Sequence, residues 1–400
     1  MTAVATRPAL SLAARLGLGA ALAAYVVLAL GSGADRLSSG QPDIAGKIPA
    51  LFASEAIRTS GAQALNEGQA VAAAEFGARA IGNAPTDPQS AALFGAGRLA
   101  SGDRVTADRA FRIAGQLGWR VPITQSYWMS QALAAGNYEI AALRLDALLR
   151  QQPELLRQRQ LTDPMERNPA GQTALIKRMA LAPAWLRYYA GDVWDIPADV
   201  VLQRAAVLDE AARSGLVLGC EQIAPIATRL AVMTQPRTGS GLWRQHCRAA
   251  GTGLVGDEQL ATLDISAKPS AFTWEMIGNG GLSLSLLPSG NERGQRLMIE
   301  GMADVPRAVL AQLVVLDPGR YVLSWRTGNS QGQASDHVRA GLACPGDSPV
   351  WLSPTLDRKA GLWRAAVQVN GRCPAQRLTF AAAPGAGRVW LEQITLVRAP

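Results

Sequence analysis

Chemistry that depends on histidine has little to draw on here, because the chain carries only His246 and His337. A Ser-His-Asp relay needs an imidazole beside an activated nucleophile, and neither histidine has a nucleophile motif around it; GxSxG is absent, as is a glycine-rich phosphate loop followed by lysine. Cys247 directly follows His246, but a zinc site would want a second nearby histidine or CxxC spacing. Asp209 and Glu210 are the carboxylates that a glycosidase mechanism could use, yet the pattern around them predicts a solvated helix face. Gly251-Thr252-Gly253-Leu254-Val255-Gly256 has the GxGxxG form of a dinucleotide loop, but a helical pattern precedes it where a strand is required, and no helix pattern follows. The expectation is a non-enzymatic chain with no catalytic residue, no cofactor and no metal. A degenerate glycoside hydrolase is the third reading.

The cysteines are more informative. They fall as two local couples, Cys220 with Cys247 and Cys344 with Cys373. In an exported protein this spacing reads as two disulfides, each closing a loop of under about thirty residues, although other pairings remain open. Export is expected from the N-terminus, where Arg7 and Arg15 precede Leu16 to Ala34, a run without a charge, before Asp35 and Arg36. Nineteen such residues in a helix about cover a hydrocarbon core of ~30 Å. The preceding arginines place residues 35–400 on the far side, so the expected location is a bacterial inner membrane, single-pass, with the bulk of the chain in the periplasm. Ser32-Gly33-Ala34 supplies the small residues of the rival reading, a cleaved signal peptide.

The formal charge of +8 is almost all arginine, since only Lys47, Lys177, Lys268 and Lys359 are lysines. Arginine grips phosphate, carboxylate and uronate groups in a planar fork. The charges are nevertheless spread along the chain without a dense basic run, so no nucleic-acid partner is expected. At 400 residues and 48% hydrophobic content the chain can bury more than one core.

The elements behind these residues begin with a repeat. Gly68, Gly102 and Gly136 stand 34 residues apart, as do Leu65, Leu99 and Leu133, and Ala73, Ala107 and Ala141. Each glycine closes a helix in a tight turn, and an alanine-rich helix follows that ends near Pro85, Pro122 or Pro153. Over residues 47–156 this pattern resembles the tetratricopeptide repeat (TPR), with its large aromatic positions only partly filled, for instance by Tyr138 and Phe111. The resemblance implies a solenoid whose concave face holds a protein partner. Helical signals continue without the register over Ala174–Tyr189, Pro197–Ser214, Cys220–Met233 and Gly241–Ala249, as degenerate repeats or a helical cap; Trp185, Tyr188, Tyr189 and Trp194 are expected to be buried there.

Residues 251–270 read as a linker. From Phe272 onward the period changes to that of strands, with nine short runs ending in the alternating Val389–Val397. This third of the chain resembles the jelly-roll sandwiches of carbohydrate-binding modules in its opening aromatic strand, its Pro318-Gly319-Arg320-Tyr321 turn and its closing strand. Such modules lay aromatic faces against sugar rings, so the resemblance makes Trp274, Trp325, Trp351 and Trp363 the candidate glycan contacts. Of these, Trp351 stands in an apparent loop, Ser348-Pro349-Val350-Trp351.

The expected fold class is therefore multidomain α + β: a signal-anchor segment (1–36), a TPR-like α-solenoid (37–250), a linker (251–270) and an antiparallel β-sandwich (271–400). The combination resembles bacterial envelope proteins associated with exopolysaccharide. It implies a membrane-anchored accessory protein that holds envelope protein partners through the repeats and a polysaccharide through the sandwich. The alternative is a general protein-interaction scaffold or chaperone with no sugar binding.

Overall fold

The computed structural model describes residues 12–248, 251, 253–266, 270–278, 281–289, 294–331 and 333–400. Arg7, Ala249, Thr252 and Lys268, named above, lie outside them. The chain divides into two compact units, Met1–Gln152 and Pro153–Pro400.

In the first unit, α1 (Leu12–Leu37) is the one helix among the described residues that is long and apolar enough to cross a membrane, and its residues 16–30 are all exposed. Its last turn is held. Asp35 accepts from the backbone N–H groups of Glu55 (2.9 Å) and Ala56 (2.8 Å), the first turn of α2 (Ser54–Asn66), whose own N-cap position is Ala53. An N-cap carboxylate is thus supplied from twenty residues away. Gly31 on the same helix abuts the Phe52 ring so closely that a Cβ there would come within 2.5 Å of it.

Helices α3 (Ala70–Asn83), α4 (Pro88–Ala100), α5 (Arg104–Leu117), α6 (Pro122–Ala134) and α7 (Tyr138–Leu149) complete three hairpins. First helices begin at Ser54, Pro88 and Pro122 and second helices at Ala70, Arg104 and Tyr138, so the 34-residue period is carried by the elements themselves. Gly68, Gly102 and Gly136 take φ of 75°, 89° and 68° in the turns, a region that costs glycine little. Asp87, Asp103 and Asn137 cap the helices that follow them. The interior is mostly alanine, with Ala73, Ala107 and Ala141 fully buried, and Gly77 and Gly97 let neighbouring helices meet backbone to backbone at Phe94 and Ala74.

The second unit opens with α8 (Arg159–Glu166), α9 (Pro169–Met179), α10 (Leu186–Gly191), α11 (Ala198–Arg213), α12 (Cys220–Val232) and α13 (Pro236–His246). Arg204 is fully buried in this part, donating to the carbonyls of Leu156 (2.7 Å) and Tyr189 (3.2 Å) beside the Glu166 carboxylate. Of the aromatic cluster, Trp185 and Tyr189 are buried as expected, whereas Trp194 is 49% exposed with Arg229 over its ring.

The sandwich follows as eleven strands, all paired antiparallel: β1 (Glu275–Met276), β2 (Leu282–Pro288), β3 (Gln295–Gly301), β4 (Arg307–Val314), β5 (Gly319–Asn329), β6 (Val338–Ala343), β7 (Val350–Trp351), β8 (Thr355–Asp357), β9 (Leu362–Val369), β10 (Gln376–Ala382) and β11 (Gly387–Arg398). Five of them form a sheet in the order β1-β4-β10-β6-β7, and six a sheet in the order β2-β3-β11-β5-β9-β8. Between the sheets lies one core of alternating Val, Leu and Ile side chains, with Phe380 making edge contacts to both Trp274 (6.0 Å) and Trp325 (5.8 Å).

Two boundaries differ from the sequence reading. The expected helical domain ends at Gln152, and the later helices belong with the sandwich. The reason is direct bonding: Thr228 on α12 accepts from Ala271 N–H, the Ala271 carbonyl accepts from Leu313 on β4, and Gly239 on α13 sits against Phe272. The expected linker is also, over its described residues, part of the sandwich. Val255, Leu260 and Leu263 are buried in the sandwich core, Gln312 hydrogen-bonds both N–H and C=O of Gly256, and Trp274 donates to the Asp257 carbonyl. Polar and glycine residues made this stretch read as a linker, but its three apolar side chains are spaced to reach one face of the sheet.

Candidate functional site

The cysteines pair as expected. The bond between Cys220 and Cys247 joins the first residue of α12 to the residue after α13, and that between Cys344 and Cys373 joins the end of β6 to the approach to β10. His246 sits beside the first bond and is fully buried; its Nδ1 accepts from Leu218 N–H and its Nε2 faces the Leu208 carbonyl at 3.0 Å. A carbonyl only accepts, so these partners select the neutral ring with the proton on Nε2. Burial pushes the imidazole below its ordinary pKa, against the smaller opposing effect of Leu208. This histidine is structural, and His337, half-buried on the approach to β6, meets Ser335 Oγ through its backbone N–H at 3.2 Å, a turn contact that leaves its ring out. Asp209 and Glu210 both pair with Arg213 on the exposed face of α11.

Where the five-stranded sheet meets α12 there is an open cleft of about 550 Å³. Its floor is Ala311 and Leu313; its walls include Thr228, Val232 and Thr234 on one side and the Cys344–Cys373 bond with Pro345 and Pro374 on the other. At the rim Arg377 donates to Glu275 at 2.6 Å, with both side chains 42% exposed. The volume lies within the range usual for small-molecule sites, about 300–1,000 Å³. Pairing leaves the rim charges balanced while Arg377 keeps further N–H donors and Glu275 a second oxygen. The rest of the lining is mostly apolar, so this pair is its main polar feature.

The strand register connects the cleft with one of the four tryptophans. Glu275 pairs across to Ala311, Ala311 to Thr379, Thr379 to Gly341, and Gly341 to Trp351, a single row over all five strands. Directly opposed residues share a face, so Trp351 stands on the same face as the cleft, four strand spacings or about 19 Å from Glu275. Its ring lies over Gly341, where a Cβ would be 2.9 and 3.1 Å from two ring carbons. Glycine there is what lets the half-buried ring come down onto the sheet.

The other three tryptophans are placed differently. Trp274 and Trp325 are 4% and 0% exposed in the core, so neither ring can meet a sugar. Trp363 pairs with Trp325 on β9 and packs against the same core from its margin. Their burial follows from strand alternation: each falls in phase with the inward Val and Leu residues. Trp351 was expected in a loop and lies instead in the two-residue edge strand β7, too short for periodicity to reveal. Glu275 and Arg377 were not singled out from sequence; the outward phase of Arg377 between the core residues Gln376 and Leu378 is the signal that marks it.

Comparison with known proteins returns no matching family model and no matching curated protein. Solved structures similar to this chain include a protein named for sugar binding from Bacteroides thetaiotaomicron, at 12% identity and TM-score 0.29, over 37% of this chain and all of that one. A second is TmCBM61 in complex with β-1,4-galactotriose, at 13% identity and TM-score 0.25, again over 37% of this chain and all of that one. A third is the CBM22-1 xylan-binding domain of Paenibacillus barcinonensis Xyn10C, at 13% identity and TM-score 0.24, over 33% of this chain and 91% of that domain. At such scores the likeness assigns no ligand, and function has to come from this chain's own residues.

Proposed function

We propose that this chain is a non-enzymatic, membrane-anchored glycan-binding adaptor of the bacterial envelope, which contacts polysaccharide with the cleft face of the sandwich and protein partners with its helical hairpins. The observation that carries the reading is the Trp351 ring laid over Gly341 on the face that also holds the Arg377–Glu275 pair. An indole lying along a sheet offers an apolar plane to a pyranose ring, and a charge-balanced Arg–Glu pair further along the row supplies donors and acceptors for hydroxyls.

Anchorage, rather than cleavage of a signal peptide, is supported by the last turn of α1. Gly31 packs on Phe52 and Asp35 caps α2, so the Ser32-Gly33-Ala34 sequence lies within a continuous helix that the rest of the unit uses. A protease that reads an extended segment would have to unwind that turn and give up the cap. A role in exopolysaccharide synthesis or export is the setting in which an anchored, disulfide-bonded glycan binder of this kind would serve.

The test is retention of neutral polysaccharides by the detergent-solubilised full chain in affinity gels, with Trp351→Ala and Gly341→Val beside the wild type. Retention is expected for the wild type, loss by about tenfold for Trp351→Ala, taking ~1–2 kcal/mol for truncation of an aromatic anchor, and weakening for Gly341→Val as the ring is lifted. No retention of any polymer by the wild type would favour the pure scaffold.

A further inference from the structure

The helical unit contains a cavity of its own, about 280 Å³, lined by Arg112, Gly115, Gln116 and Trp119 after the start of α5, Thr124, Gln125 and Trp128 on α6, and Arg144 on α7. Its lining combines two indoles with unsatisfied polarity. Three buried polar atoms lining it have no hydrogen-bond partner: Thr124 Oγ1, Gln125 Nε2 and Arg144 Nε. Thr124 and Gln125 are 1% and 0% exposed. A buried donor left unmade costs about 1–3 kcal/mol, so three converging on one cavity mark a place where a ligand completes the bonding.

The polarity has a sign. Gln125 Nε2 and Arg144 Nε can only donate, and the hydroxyl of Thr124 can do either. Arg112 is already paired with Asp108 at 2.8 Å. Arg144 donates to an amide oxygen, Gln125 Oε1, at 3.4 Å. The N-terminus of α6 also has no side-chain cap, so the positive end of that helix adds to the same side of the cavity. Two indoles complete the lining, Trp119 being 55% exposed with Arg120 near its ring and Trp128 half-buried beside Gly115.

We infer that this cavity binds a carboxylated sugar, a single uronate unit, with its carboxylate on Arg144 and Gln125 and its ring against the indoles. Phosphate would match the donors but leave the indoles without a role. A peptide carries one backbone N–H for nearly every carbonyl, whereas the open atoms here are predominantly donors. The volume matches a single small ring. This site is separate from the proposed neutral face of the sandwich and does not depend on it.

Titration of the detergent-solubilised full chain with sodium glucuronate, read by intrinsic tryptophan fluorescence and calorimetry, tests the assignment, with glucose and an acetylated acidic peptide as comparison probes. Saturable glucuronate binding is expected, with glucose much weaker. Arg144→Gln is expected to lose about tenfold or more, the loss for a charge-assisted hydrogen bond, and the surface variant Trp119→Ala to lose several-fold with the fold intact by circular dichroism. Trp351→Ala and Arg377→Gln should leave glucuronate binding unchanged, so failure here and failure of the sandwich reading are told apart. Absence of glucuronate binding to the wild type, binding unchanged in both Arg144→Gln and Trp119→Ala, or tighter binding of the peptide would each overturn the assignment.

Discussion

The two units are held together in different ways. The helical hairpins pack through alanine and glycine, with Gly77 and Gly97 meeting backbone on the next helix, and their ends are closed by carboxylate and amide caps. The C-terminal unit packs through large side chains, with Trp274, Phe380 and Trp325 at its centre, and carries both disulfides. Close helix packing leaves little room, so a cavity with open polar atoms stands out there as a site. In the sandwich, where large rings are the ordinary filling, a tryptophan is informative only when the register places it on the outer face. The cavities differ likewise: Arg377 has its charge balanced by Glu275, while Arg144 donates to the neutral amide of Gln125.

The largest way to test this contrast is Trp325→Ala. Removing a fully buried indole should lower the stability of the C-terminal unit by about 3–5 kcal/mol, seen as a downward shift of its transition in calorimetry. The same truncation at exposed Trp119 should move no transition by more than about 0.5 kcal/mol. Next comes the paired replacement Cys220→Ala with Cys247→Ala. With the cysteines 27 positions apart in the chain, the chain-entropy model gives a loss of about 3.5 kcal/mol, measurable by denaturant unfolding with and without reductant.

Asp35→Ala acts on the other unit. Loss of its cap to Glu55 and Ala56 should cost about 1 kcal/mol and expose the last turn of α1, so limited proteolysis between residues 34 and 54 should become faster in membrane preparations. Cleavage as fast in the wild type as in the variant would argue that the contact does not hold the helix.

The smallest effect is a pH dependence confined to the second unit. Burial holds the His246 imidazole below its ordinary pKa of ~6.5, so the unfolded chain binds the proton first as pH falls. The neutral ring's stabilisation is complete above about pH 6.5 and declines on acidification through that value, levelling off below the folded pKa. His246→Gln should flatten that part of the stability profile, and an unchanged slope would assign it to other groups.

Much of this fold was legible in the chain itself. The 34-residue spacing of Gly68, Gly102 and Gly136 located all three hairpins, because a turn that needs positive φ recurs wherever the unit recurs. The eight longer strands followed the alternation of their apolar residues, and the four cysteines paired within their local couples. Less of the site could be read. Trp274, Trp325, Trp351 and Trp363 are equivalent as residues, and only their phase and the strand opposite them separated core from surface. Val255, Leu260 and Leu263 were passed over because isolated apolar residues among glycines show no period until the sheet that receives them is known.

By itself, then, the sequence determined what repeats and alternates: an apolar N-terminal helix, three glycine-punctuated hairpins, a strand-rich third and two short-range cysteine couples, all set by local backbone preference and the placing of apolar residues. Only the tertiary structure decided which helices join the sandwich, that Asp35 caps a helix twenty residues on, that Gly341 lies beneath Trp351, and that Thr124, Gln125 and Arg144 face one cavity with their donors open. Those relations join residues distant in the chain, and no local period encodes them.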